Sequence, residues 1–99
     1  MFARVSEITG PADQIDRGIA SFTDQAVPAI RGVDGFVRAY LLVDRGTGKT
    51  MAITVWQSEE AMRASEETAD RVRAAVTAET GATGATVGRY EVVVSEPAD

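Results

Sequence analysis

The 99-residue sequence contains no cysteine and no histidine, and asparagine is absent as well. Without cysteine the chain cannot form disulfides, zinc–thiolate sites or a thiol nucleophile. Without histidine it lacks the commonest metal ligand, the usual general base and the usual axial ligand of haem. A Ser-His-Asp hydrolase triad is therefore excluded. We expect no metal centre and no bound cofactor.

Long apolar runs and clusters of positive charge are also missing. The 10 basic residues are scattered among 15 acidic ones and the net charge is −5, whereas nucleic-acid binding needs clustered Lys and Arg. No segment approaches the ~18 apolar residues of a membrane span, and the first residues lack the pattern of a signal peptide. We therefore expect a cytoplasmic protein that binds neither nucleic acid nor membrane.

The remaining composition is that of an ordinary soluble domain, 44% hydrophobic and 25% charged. A chain of this length is enough for one domain with its own core. We assign residues 1–95 to a single domain and residues 96–99 to a C-terminal tail.

Hydrophobic periodicity predicts four strands and two helical regions. The strands lie at residues 2–9, 36–44, 50–57 and 87–95, and the helical regions at about 11–30 and 58–80. The first helix carries one apolar stripe, formed by Ile15, Ile19, Phe22, Ala26 and Ile30. Pro28 should kink or end this helix, and Ser65 should interrupt the second one as an additional N-cap. Gly81 suits the C-terminus of the second helix, and Gly84 and Gly88 loosen the connection to the last strand.

The element order β-α-β-β-α-β is that of the ferredoxin-like α+β fold, in which both helices cover one face of an antiparallel sheet. The middle strands are apolar on both parities, so two helices would leave one apolar face of the sheet uncovered. A second copy of the chain is the simplest cover. The pattern therefore predicts a homodimer in which the two sheets face each other.

Trp56 is the only tryptophan and ends the third strand just before a helix start. Ser58 supplies the N-cap of that helix, and two glutamates follow where the helix dipole favours negative charge. The other residues on the strand face of the tryptophan are small: Thr50, Ala52 and Thr54. The indole can therefore line a pocket under the helices or lock the strand-to-helix corner as part of the core.

Gly35-Phe36 opens the second strand, and the run from Ile53 to Met62 reads Ile-Thr-Val-Trp-Gln-Ser-Glu-Glu-Ala-Met. Together with the element order, these segments resemble the antibiotic biosynthesis monooxygenase-like (ABM) family of dimeric α+β barrels, over nearly the whole chain. The resemblance implies a cleft between helices and sheet. Some members of that family oxidise aromatic polyketides to quinones without metal or flavin, and others degrade haem.

The resemblance also implies site residues. Both kinds of member use a tryptophan, which matches Trp56 here, and Arg4 stands at the position of their first-strand asparagine. Tyr40 and Arg38 would supply the tyrosine and arginine of the oxygenases. The haem-ligating histidine falls near Ser65, so haem degradation of that type is disfavoured. The candidate catalytic residues are Trp56, Arg4, Tyr40 and Arg38, and the candidate substrate-binding residues are Phe22, Met62 and Ser65.

Most of these candidates have a structural alternative. Arg4 and Arg38 can clamp an anion or stabilise an enolate, or they can be rim or interface charges. Tyr40 can bind a substrate hydroxyl or lie in a dimer interface, and Phe22 and Met62 can belong to the core.

Two functions follow for the whole chain. One is a cofactor-independent monooxygenase acting on a small aromatic or polyketide-like substrate, and the other is a non-catalytic homodimer that binds a small hydrophobic molecule or none.

Overall fold

A computed structural model describes residues 1–82 and 85–97 of the chain. Four strands form one antiparallel sheet: β1 (Phe2–Thr9), β2 (Phe36–Asp44), β3 (Lys49–Trp56) and β4 (Ala85–Glu91). Their order across the sheet is β2-β3-β1-β4. This arrangement confirms the predicted ferredoxin-like α+β fold, with the first and third strands at the centre of the sheet.

The helices pack on one face of this sheet. They are α1 (Ile15–Ser21), α2 (Val27–Arg31), α3 (Glu59–Ala64) and α4 (Glu66–Thr80). A short 3₁₀ turn, Ala12–Gln14, precedes α1. Within the described residues, no helix combines the length and the apolar character needed to cross a bilayer.

The first helical region continues through Pro28 and ends at Arg31. A π-helical turn, Phe22–Ala26, separates α1 from α2, and Pro28 is the second residue of α2. Because the residues before it are also helical, the proline removes a backbone donor within a continuous helical region and crowds the preceding turn. The helix widens into the π turn just before the proline.

The second helical region breaks at Ser65, as predicted, but the side chain of Ser65 makes no capping hydrogen bond.

The last strand also differs from the prediction of residues 87–95. Strand β4 ends at Glu91, and the N–H of Val92 makes one further hydrogen bond, to the carbonyl of Met1 2.8 Å away. The predicted role of Gly84 and the last two residues of the predicted tail lie outside the described residues.

Strand register divides the side chains between two faces of the sheet. Arg4 pairs with Thr54 and points with it toward the helices, whereas Val5 pairs with Ile53 on the other face. We call the face away from the helices the open face. It carries three large side chains that are about half exposed: Tyr40, Leu42 and Tyr90, at 48%, 50% and 59%.

Gly48 ties the hairpin between β2 and β3 to the end of β1. Its φ is +81°, a conformation that favours glycine, and its carbonyl accepts a hydrogen bond from the N–H of Gly10. A Cβ added at Gly48 would overlap the carbonyl oxygen of Gly10. Only glycine fits this contact without moving backbone.

We expect Gly48→Ala to lower the free energy of unfolding by about 2 kcal/mol or more, because strain and backbone overlap add. Urea unfolding followed by circular dichroism measures the change. Gly32→Ala is the matched control, since a Cβ there meets no atom within 4 Å. Equal stability of the two variants would contradict the close approach of Gly10 and Gly48.

Candidate functional site

An apolar cleft lies between the helix-facing side of the sheet and the helices α1, α2 and α4. It contains about 910 Å³ of space free of protein atoms, a volume that includes solvent at its mouth. The sheet contributes Arg4, Ser6, Ile8, Leu41, Thr50, Ala52 and Thr54, and the main apolar residues from the helices are Ile15, Phe22, Ala26, Ile30, Ala69, Val72 and Val76. A concave apolar lining with a few polar groups is the usual form of a small-molecule site.

Small side chains on both walls keep this cleft open. Thr50, Ala52 and Thr54 form the sheet wall on β3, and Gly18 and Ala69 face it from α1 and α4. Larger residues at these positions would fill the space between sheet and helices. The alternation of small residues along β3 was visible in the sequence, and it marks the floor of the cleft.

Arg4 places a buried guanidinium at the cleft wall, with only 2% of the residue exposed. Its Nη2 donates to the carbonyl of Met62 and to Ser65 Oγ, the latter 2.8 Å away, and lies 3.2 Å from a Glu66 carboxylate oxygen. Ser65 Oγ in turn donates to the carbonyl of Met62 at 2.7 Å. Among the described residues, the Nε–H of Arg4 has no acceptor.

Glu66 joins this buried arginine to an exposed one. Arg89 donates two hydrogen bonds to the Glu66 carboxylate, from Nε at 2.6 Å and Nη2 at 2.8 Å. These bonds, reinforced by the positive charge of Arg4, lower the pKa of Glu66 from 4.5 to about 2, against the opposing effect of burial. Burial lowers the pKa of Arg4, and its attraction to Glu66 opposes that effect. The Glu66 carboxylate thus stays ionised and offsets part of the positive charge.

Trp56 is fully buried and does not line the cleft. It packs with Ile30 and Met62, and its ring meets Phe36 edge to face with centroids 5.5 Å apart. Its Nε1–H donates to Thr54 Oγ1 at 3.0 Å, which supplies the partner that a buried indole needs. The guanidinium carbon of Arg4 lies 5.9 Å from the ring centroid. In this structure the indole contacts Arg4 and the core, and it is not available for stacking on a ligand.

The other predicted residues divide between three places. Phe22 lines the cleft, whereas Met62 and Ser65 are buried beside Arg4 and do not line it. Arg38 and Tyr40 lie on the open face, paired with Val55 and Ile53, and so are not brought together with Trp56.

A β-bulge explains the position of Arg38 and Tyr40. Phe36 pairs with Trp56, but the next partner along β2 is Arg38, opposite Val55, and the extra residue reverses the parity of the strand. Phe36 therefore faces the helices, while Arg38 and Tyr40 face away. Strict alternation along residues 36–44 would place all three side chains on one face, and the bulge is the reason why they are not.

Arg73 is a cleft residue that the sequence analysis did not select. Its side chain is 15% exposed, it lines the cleft from α4, and its Nη1 donates to Ser6 Oγ at 3.1 Å. The sequence did contain a signal, because Arg73 lies four residues after Ala69 and beside Val72 on the apolar stripe of the helix. A charge inside an apolar stripe points to a polar group under the helix.

A comparison against protein families identifies the family of this chain. The model of the antibiotic biosynthesis monooxygenase family matches residues 1–85. The chain belongs to this family. A relative of uncharacterised function, Rv2557 of Mycobacterium tuberculosis, is 40% identical over 73 residues, which are 74% of this chain and 33% of the relative. The chain therefore spans about a third of the length of the curated relatives that it matches.

Two solved structures are similar to almost the whole chain. The haem degrader MhuD of M. tuberculosis has a TM-score of 0.75 and 28% identity, covering 96% of this chain and 98% of its own. SnoaB of Streptomyces nogalater, a cofactor-independent oxygenase, has a TM-score of 0.71 and 20% identity, covering 98% and 97%. The second likeness shows the shared fold alone.

The Glu66 ion pairs generate a prediction about acid stability. Because the pKa of Glu66 is about 2 in the folded chain and 4.5 ordinarily, its contribution is complete above pH 4.5 and is lost as the pH falls toward 2. We expect Glu66→Gln to be less stable than wild type at neutral pH and to lose less stability over this acid range. The difference in loss should be on the order of 1–3 kcal/mol.

Urea unfolding of both proteins at several pH values measures this difference. Glu67→Gln, one residue further along α4 and exposed, is the matched control and should follow the wild-type curve. Parallel pH curves for wild type and Glu66→Gln would show that the ion pairs do not hold the carboxylate ionised.

Proposed function

We propose that the cleft binds a small, largely apolar aromatic molecule and that the chain oxygenates it without a metal or cofactor. The observation that carries this proposal is the open apolar cleft with the buried Arg4 guanidinium in its wall. Membership of the monooxygenase family supports the reaction class. SnoaB, which shares the fold, is described as a cofactor-independent oxygenase.

In the proposed reaction an activated CH₂ group of the aromatic substrate becomes a carbonyl. The substrate loses a proton, its carbanion forms a carbon–oxygen bond with O₂, and loss of water leaves the ketone, so one O₂ is consumed and one water released. Arg4 would stabilise the enolate form of the carbanion, since a fixed cation in a dry site favours developing negative charge. Its unused Nε–H is a donor suited to that role.

A second function is favoured by the side chains that line the cleft. No aspartate or glutamate is among the described lining residues, and the chain has no histidine, so the cleft offers no obvious group to accept the substrate proton. Trp56 is also excluded from the lining. Both facts fit a non-catalytic protein that binds a small hydrophobic molecule in the same cleft.

Degradation of haem is not part of the proposal, although MhuD is 28% identical. An iron ligand near position 65 would have to be Ser65, whose hydroxyl is fully buried and already bonded to Arg4 and to the Met62 carbonyl. Tyr40 and Tyr90 are exposed on the open face, away from the cleft. No side chain in the described cleft therefore suits haem iron.

We also propose that the open face pairs with a second copy of the chain. Tyr40, Leu42 and Tyr90 are about half exposed there, and Val93 and Val94 beyond β4 are about 80% exposed. Apolar side chains at this density on one face favour a partner over solvent. A two-fold axis would bring the same patch of each chain together.

For this pairing we expect light scattering at micromolar concentration to give twice the mass of one chain. Leu42→Asp should shift the mass toward a single chain, because it buries a charge in the proposed contact. Thr47→Asp, in the exposed hairpin loop, is the control and should leave the mass unchanged. A single-chain mass for wild type would refute the dimer.

For the oxygenase, we expect the wild-type chain to consume oxygen in the presence of anthrone. Ala69→Leu should lower the rate at least about tenfold, because a larger side chain fills the cleft from α4. Ala74→Leu makes the same change on an exposed position of the same helix and should leave the rate unaltered. An oxygen electrode measures the rate, and circular dichroism checks that each variant is folded.

The outcomes separate the two functions. Equal rates in wild type and folded Ala69→Leu would remove the cleft from the reaction. Binding of anthrone without oxygen uptake would favour the non-catalytic protein, and quenching of the single tryptophan, which lies beside Arg4, provides a binding signal.

A further inference from the structure

The cleft contains two arginines that approach it from opposite walls. Arg4 comes from β1 and Arg73 from α4, and both side chains are largely buried, at 2% and 15% exposure. Ser6, two residues from Arg4 on the same face of β1, accepts a hydrogen bond from Arg73 Nη1. The two guanidinium groups therefore border the same part of an otherwise apolar cavity.

The ion pairs around these arginines contain more positive than negative groups. Three cations, Arg4, Arg73 and Arg89, share ion pairs with two anions, Glu66 and Asp70. Glu66 serves both Arg4 and Arg89, and the side chain of Asp70 is 68% exposed, so its pair with Arg73 is partly in solvent. Within the described residues, this group carries an excess of one positive charge. The two cleft arginines therefore have one shared and one partly solvated counter-charge, and a carboxylate entering the apolar cavity would add a desolvated partner for them.

Arg4 also keeps a hydrogen-bond donor free. Its Nη2 is used by Met62, Ser65 and Glu66, whereas its Nε–H has no acceptor in the described part of the chain. Guanidinium groups bind carboxylates especially well because their donors form a planar fork. A single carboxylate would match both the free donor and the excess of one charge, which a more highly charged phosphate would exceed.

From these observations we infer that the cleft prefers an aromatic acid, with the carboxylate held by Arg4 and Arg73 and the apolar body against Phe22 and Leu41. The inference rests on the proposed use of the cleft as a ligand site and narrows its ligand class. Arg73 would then determine ligand specificity, because its guanidinium binds the acid group of the ligand and does not contact a reacting carbon. The ligand enters as its anion and no covalent step is involved.

The test compares 2-naphthoate with its neutral methyl ester by isothermal titration calorimetry. We expect wild type to bind the carboxylate about tenfold more tightly than the ester, a preference that weakens as salt is added. Arg73→Gln should remove most of this preference, because it should lower the affinity for the carboxylate by a much larger factor than the affinity for the ester. Arg71→Gln changes an exposed arginine of the same helix and should behave as wild type.

The results distinguish this inference from the proposal on which it rests. Equal binding of acid and ester by wild type would overturn the acid preference but leave the cleft as a ligand site. Failure of both compounds to bind would overturn both. A parallel loss of acid and ester affinity in Arg73→Gln would assign Arg73 a structural role only. Should that variant not fold, the wild-type ratio and its salt dependence decide the matter alone.

Discussion

The buried guanidinium of Arg4 is the interaction on which the helix-facing side of this molecule depends. From the centre of the sheet it reaches the Met62 carbonyl in the last turn of α3, the Ser65 hydroxyl at the break, and Glu66 in the first turn of α4. Its charge cannot be left unpaired at 2% exposure, because removing one partner of a buried pair costs about 3–5 kcal/mol. Both helices of the second region are thereby fixed to β1, and the same group forms a wall of the cleft.

The two faces of the sheet differ because β3 separates its side chains by parity. The face with Thr50, Ala52 and Thr54 carries side chains small enough to leave a cleft, and the opposite face carries Ile53 and Val55. Trp56 follows these small residues on the same face and packs in the core with Ile30 and Met62, outside the cleft lining. The proposed ligand site and the proposed contact between two copies therefore lie on different sides of one strand.

The fold was predictable because its signals are local and repeated, whereas the site depended on single residues. Helical and strand periodicity gave the element order, and the break at Ser65 followed from its capping propensity. Periodicity could not reveal the bulge after Phe36, which moved Arg38 and Tyr40 to the open face. Nor could periodicity show that Trp56 is fully buried and outside the cleft lining, because its burial depends on long-range packing with Ile30 and Met62. Arg73 was detectable only as a charge inside an apolar stripe.

The side chains of residues 4 and 65 occupy adjacent space, so the size of one limits the size of the other. Arg4 extends from β1 until it donates to Ser65, and Ser65 is fully buried with its hydroxyl turned back to its own helix. An imidazole at position 65 would need the volume that the guanidinium fills, and overpacking a site of this kind is destabilising. A long cation on the strand and a small hydroxyl on the helix are therefore one arrangement, in which each side chain requires the size of the other. That arrangement leaves position 65 without an imidazole and fixes a positive charge in the cleft wall, so any ligand in the cleft would meet a guanidinium.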